Sequence, residues 1–148
     1  GAGLDAARAA GADAVLDYSA PDLAEQILAA NGGAPVDQIV EVEFGKNLAT
    51  NTAVIAENGR IVAYGSAQDM TPTLPFYPLM FKAVTLELAL IYLLTPAQRA
   101  QAIGQLNALL DAGNLTARVA EVLPLEACAQ AHDLVAAGNR AGSVLLRM

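Results

Sequence analysis

One cysteine, one histidine, two lysines and no tryptophan stand among 148 residues. A lone Cys128 excludes a disulfide scaffold. Fifteen acidic residues against eight basic ones leave a net charge of −7, which repels phosphate backbones and argues against a nucleic-acid-binding surface. No window reaches the roughly 18 apolar residues of a membrane span. The longest apolar runs are broken by Glu87 and by Thr95-Pro96. The opening residues Gly1-Ala2-Gly3-Leu4-Asp5 carry no basic region of the kind that starts a signal peptide. With a single cysteine, a reducing cytoplasm is the expected location. What is abundant is apolar: 55% of residues are hydrophobic, much of that alanine, so disorder is excluded. The length fits one domain, or one domain plus part of another, with no need of a staple.

Gly and Asn-Gly punctuation divides the chain into short alternating segments. Residues 4–10 are Ala-rich and stop at Gly11, which reads as a helix end. Residues 14–18 (AVLDY) are too short for a helix and read as a buried strand. Ser19 or Asp22 caps the next helix, Pro21 suits its first turn, and Asn31-Gly32-Gly33 ends it. Residues 36–42 read as a strand, 47–57 as a helix ended by Asn58-Gly59, and 60–64 as a strand ended by Gly65-Ser66. This alternation predicts β-α-β units in a parallel sheet, and the continuous apolar strands predict a sheet covered on both faces. Residues 68–78 hold three of the seven prolines and read as a loop. A short helix is expected over 78–84, a strand over 85–92, a helix over 95–112, a strand over 118–123, a helix over 124–137 and a last strand over 143–146.

Few motifs carry chemistry. Gly1-x-Gly3-x-x-Ala6 matches a dinucleotide fingerprint by letters, but no strand precedes it to form the phosphate-binding turn. Cys128 and His132 share a helix face at i, i+4, yet two soft ligands are short of the three or four that zinc needs. There is no G-x-S-x-G elbow. Glu41 and Glu43 alternate at the end of a strand, where open α/β sheets border their ligand crevice. Side by side they suit acid-base work, a ribose contact, or no more than solvated edge charges. Gly65-Ser66 follows the next strand, and a glycine there lets backbone approach a ligand. Tyr18 offers a ring that can stack on an adenine.

A longer pattern runs through the whole chain. Gly11-Ala12-Asp13-x-Val15-x-Asp17-Tyr18 is followed by Gly32-Gly33-x-x-Val36-Asp37, then Gly59-Arg60-Ile61-Val62-x-x-Gly65, then Ala131-His132 and Gly142-Ser143-Val144-Leu145. In this order the set resembles the medium-chain dehydrogenase/reductase superfamily (zinc-type alcohol dehydrogenase-like), and most of all its zinc-independent quinone oxidoreductase, or zeta-crystallin-like, branch. The resemblance implies an α/β fold: a partial Rossmann domain, doubly wound and mainly parallel, lacking its first two strands, plus C-terminal helices and short strands. Residues 1–95 would be the distal part of a dinucleotide-binding domain. Residues 96–148 would be the segment that packs with a catalytic domain. The strands over 14–18, 36–42, 60–64 and 85–91 would be Rossmann strands three to six. Strand three does not touch strand four in that order, so the sheet would have an exposed edge.

The same resemblance implies an NADP or NAD cofactor and no zinc. Tyr18 would lie near the adenosine end. Glu43 and Phe44 would close the end of one strand, and Tyr64, Gly65 and Ser66 would border a cofactor ribose. Leu88, Ala89, Leu90 and Ile91 would lie toward the nicotinamide, and Asn139 near the pyrophosphate. The basic residue that often holds the NADP 2′-phosphate falls near Gly3, where none stands, so NADP preference is left open. No catalytic residue is expected within the chain. The implied activity is hydride transfer to a quinone or enone by a longer enzyme, the 148 residues alone being without turnover. The alternative is a non-catalytic assembly module built on a truncated sheet. Either way, the apolar run from Thr85 to Ile91 is expected to pair with a second copy in a homodimer.

Overall fold

The computed structural model describes residues 2–138 and 140–148. Two compact units divide them. Residues 16–93 form one, and residues up to 15 together with 94–148 form the other.

The 16–93 unit is built on a parallel sheet of β1 (Val36–Glu41), β2 (Ile55–Ala63) and β3 (Thr85–Leu88), in that order. Helix α2 (Leu23–Ala30) packs along α3 (Phe44–Val54), which joins β1 to β2; α4 (Phe76–Phe81) precedes β3. Period-two alternation sends Ile39, Ile61 and Ala63 to one face. There they meet Phe44 and Leu48 of α3 and Leu79 of α4, with Ile55 and Ile61 fully buried. Each such isoleucine contributes about 1.5–3 kcal/mol of apolar burial. The opposite face is open: Val40 is 76% and Tyr64 56% exposed. The expectation of a sheet covered on both faces is therefore corrected to one covered face among the described residues.

Several element boundaries differ from those expected, each for a local reason. Residues 14–18 form no strand. An apolar run becomes a strand only when a neighbour accepts its backbone hydrogen bonds, and no described strand lies beside this one. Helix α3 starts three residues earlier than Asn47, because the Phe44 N–H donates to the Gly65 carbonyl (3.0 Å) and its ring is buried in the core. Asn58-Gly59 is not a helix end but a bulge inside β2. Val36 pairs with Ile55 and Gln38 with Arg60, so extra residues loop out, with Asn58 at φ 58° donating to Lys82 O (2.7 Å). Strand β3 stops at Leu88 because β2 ends at Ala63; Ala89 N to Ala63 O (2.8 Å) is the last rung, and a 3₁₀ turn, Ile91–Leu93, follows.

In the other unit, α1 (Ala2–Ala9) and α5 (Pro96–Asp111) accompany a β-α-β element. Here β4 (Val119–Pro124) pairs in parallel with β5 (Ser143–Arg147), joined by a 3₁₀ turn (Leu125–Ala127) and α6 (Cys128–Ala137). Thr95 and Gln98 form a reciprocal capping box at the start of α5. No helix among the described residues is long and apolar enough to cross a membrane.

Candidate cofactor edge at the strand ends

In parallel strands the carboxyl ends lie together, and ligands of open α/β sheets bind outside them. The three ends here are tied to one another by backbone. Tyr64 N donates to Glu41 O (2.9 Å), Phe44 N to Gly65 O, and Ala89 N to Ala63 O. Two glycines make the fit close. A Cβ on Gly65 would lie 2.5 Å from Val42 O. One on Gly45 would meet Asp69 Cβ at 2.8 Å and Ser66 Oγ at 2.9 Å.

Glu41 and Glu43 are not a side-by-side pair. Glu41 is 5% exposed and turns into the first turns of α3. Its carboxylate accepts from Glu43 N (2.6 Å), Asn47 Nδ2 (3.0 Å) and Asn51 Nδ2 (2.7 Å). Burial pushes this carboxyl up, but the hydrogen bonds from Asn51, from Glu43 N, from Asn47 and from Val42 N outweigh it and hold it below its ordinary value. Glu43, at the N-cap of α3, makes no capping bond and reaches the other way. It accepts from Ala67 N (3.3 Å) and Gln68 N (3.0 Å), pinning the loop after β2. The two acids brace backbone on opposite sides of one turn, so the acid-base pairing considered from their spacing is not formed.

Phe44 gives its ring to the core, so only its backbone borders the edge. Tyr64 is exposed. The Ser66 hydroxyl accepts from Gly45 N (2.9 Å) and donates to Asp69 O, leaving no free proton for a ribose. Leu88, Leu90 and Ile91 are exposed at the end of β3, with Ala89 half-buried between them. Tyr18, 74% exposed, lies under the ammonium of Lys46, whose Nζ is 5.6 Å from the ring centroid. Because Lys46 stands in the first turn of α3, this contact seats Tyr18 beside the same edge. Asn139 lies outside the described residues. Lys46, Asn47 and Asn51 were not singled out from sequence. The available signal was a pair of asparagines at i, i+4, on one helix face directly after a strand ending in Glu41.

A family model for zinc-binding dehydrogenases matches residues 10–146. The chain belongs to the zinc-binding dehydrogenase family. Curated proteins give no significant match. Among solved structures, an NAD-dependent alcohol dehydrogenase superposes with a TM-score of 0.82 at 28% identity, over 98% of this chain and 40% of that one. A quinone oxidoreductase from Pseudomonas syringae pv. Tomato DC3000 gives 0.78 at 24% identity, over 96% and 45%. Mycobacterial Rv1454c complexed with NADPH gives 0.79 at 23%, over 95% and 45%. The two below 25% identity carry the fold alone. The chain thus spans less than half the length of these structures. The medium-chain reductase resemblance and the α/β fold with parallel sheets are borne out.

Among the described residues no group of three or more His, Cys, Asp or Glu is placed to hold a metal ion. A nicotinamide dinucleotide does fit. The edge carries an aromatic ring with a cation beside it at Tyr18 and Lys46, small residues at Gly65 and Ser66, and exposed apolar side chains at Leu88, Leu90 and Ile91, groups of the kinds that meet a nucleotide's base, phosphates and ring faces.

Proposed function

We propose that the chain is the cofactor-side part of an NAD(P)H-dependent, zinc-independent oxidoreductase that transfers hydride to a quinone or enone. Residues 1–95 would belong to its dinucleotide-binding domain and 96–148 to the segment beside its catalytic domain. The observation that carries this reading is the braced row of strand ends, where Glu43 holds Ala67 and Gln68 and the Phe44 N–H holds Gly65. A nicotinamide cofactor, when bound, supplies the hydride. The chain's own residues bind and orient. Tyr18 takes the adenosine end, and Tyr64, Gly65 and Ser66 border a ribose. Ser66 acts there as a brace, because its hydroxyl is spent on Gly45 and Asp69. Leu88, Leu90 and Ile91, through their exposed apolar surface, exclude water on the nicotinamide side. No side chain of this chain moves a proton in this reading. Asn139 toward the pyrophosphate remains part of the reading.

The protein is also proposed to dimerise through the segment from Thr85 to Ile91. Among the described residues strand β3 is a sheet edge paired with β2 alone, and all four of its residues are exposed. A cytoplasmic setting accords with the single cysteine.

The test is saturation-transfer NMR with NADPH and NADH, with an absorbance assay of nicotinamide oxidation in which the 148 residues alone are expected to give no turnover with benzoquinone. Elemental analysis accompanies it. Cofactor binding with no stoichiometric zinc is expected. Absence of binding by either nucleotide, or about one zinc per chain after dialysis, would overturn the reading.

A further inference from the structure

The chain holds two Asn-Gly dipeptides, Asn31-Gly32 and Asn58-Gly59. In such a pair the glycine nitrogen, with no side chain beside it, can attack the asparagine side-chain carbonyl. The fold surrounds the two pairs differently. At the end of α2, Asn31 Nδ2 donates to Ala34 O (2.9 Å) and Pro35 O (3.0 Å), and Gly32 N donates to Ala29 O (3.1 Å). The leaving group and the attacking nitrogen are both tied there. Asn58 stands in the bulge of β2. Residues 56–59 oppose the single Asp37 of β1 and lie ahead of the first β3 rung at Arg60. The Asn58 side chain is exposed, and no hydrogen bond among the described residues engages its amide. Packing favours both members of this pair. Asn58, at φ 58°, takes a left-handed conformation that asparagine tolerates better than most residues. Gly59 is buried, and a Cβ on it would lie 2.7 Å from Ile55 Cδ1.

We propose that Asn58 is a site of spontaneous deamidation in the folded protein, that Asn31 is protected from it, and that the reaction loosens a clasp made by Lys82. Gly59 N forms a bond to Asn58 Cγ, the Cγ–Nδ2 bond breaks, and ammonia leaves with the glycine proton. Water then opens the cyclic imide. Opening at Cγ leaves isoaspartate or aspartate according to which carbonyl is attacked: attack at Cγ gives aspartate, and attack at the main-chain carbonyl gives isoaspartate, whose backbone runs one methylene longer. That added length falls on an anchor. Asn58 N donates to Lys82 O (2.7 Å), and Lys82 Nζ donates to the carbonyls of Thr52 (2.8 Å), Ala53 (3.2 Å) and Ile55 (2.8 Å) at the end of α3. The new carboxylate also adjoins Glu57, a like charge.

Incubation in mildly alkaline buffer, followed by peptide mapping with mass spectrometry, reads each asparagine separately. Asn58 is expected to convert at least about tenfold faster than Asn31, whose three hydrogen bonds, two from its amide and one from Gly32 N, must break before the imide can close. In urea, where both dipeptides lose their surroundings, the two rates should converge. Equal rates in the folded protein, faster conversion at Asn31, or no conversion at Asn58 overturns the proposal. So does a difference that persists in urea, which would assign it to flanking residues rather than to the fold. Aged protein, freed of unreacted chain by anion exchange, should melt below Asn58→Asp, which carries the same charge without the added methylene. Equal melting refutes the link to Lys82.

Discussion

Replacing Glu41 by alanine strips one carboxylate from three donors at once. Asn51, itself 6% exposed, loses the partner of its Nδ2, and the half-buried Asn47 Nδ2 and Glu43 N–H lose theirs. A buried donor left unsatisfied costs about 1–3 kcal/mol, and one that water can partly reach costs toward the low end. Summed with that weighting, Glu41→Ala should destabilise the protein by about 3–5 kcal/mol. Glu41→Gln is a sharper probe. Its carbonyl oxygen keeps Glu43 N and Asn47, and Asn51 can present its own oxygen to the new amide, so only the charge assistance is lost, about 1–2 kcal/mol. The carboxyl's lowered value also sets a pH signature. A group with a depressed folded value contributes stability above its unfolded value, here 4.5, and that contribution is lost as pH falls through the lower folded value. Wild type should therefore weaken more steeply than Glu41→Gln as pH drops below 4.5. Urea denaturation followed by circular dichroism at neutral and acid pH measures both effects. A Glu41→Ala penalty under about 1 kcal/mol, or parallel acid limbs for wild type and Glu41→Gln, would refute the reasoning.

Lys82→Met removes the ammonium from three carbonyls at the end of α3 and should cost about 1–3 kcal/mol, with Lys82→Arg milder; thermal melts decide it. Gly65→Ala places a methyl 2.5 Å from Val42 O, so the turn must shift and the Phe44 N–H bond with it, at about 1–3 kcal/mol; an unchanged melting temperature would contradict this. Thr95→Ala breaks the capping box of α5 and should cost about 1 kcal/mol, read by urea titration. Leu88→Pro should remove a ladder N–H from β3 and shift the protein from dimer toward monomer or aggregate in light scattering; a monomeric wild type, or an undisturbed dimer, would count against the β3 interface.

Much of this fold is determined by residue order alone. Alternating apolar segments cut by Asn31-Gly32-Gly33 and Gly113-Asn114 are short-range signals, and α2, β1, α5, β4 and β5 lie close to where those signals put them. The motif series from Gly11 to Leu145 is equally local, which is why the superfamily was readable from it. Residues 14–18 mark the boundary of such reading. Their apolar pattern is that of a strand, but a strand exists only through a neighbour's hydrogen bonds, and the chain does not place one there. The same distinction runs through the site. Spacing could put Glu41 and Glu43 at one sheet edge. It could not show that one turns into α3 toward Asn51 while the other crosses to Gln68, since those partners are 10 and 25 residues away. Nor could it bring Lys46 over Tyr18, a contact made by the packing of α3 beside a segment that precedes α2. Local propensity is written in neighbouring residues; the partners of a charged side chain are chosen by which distant backbone the packed core carries to it.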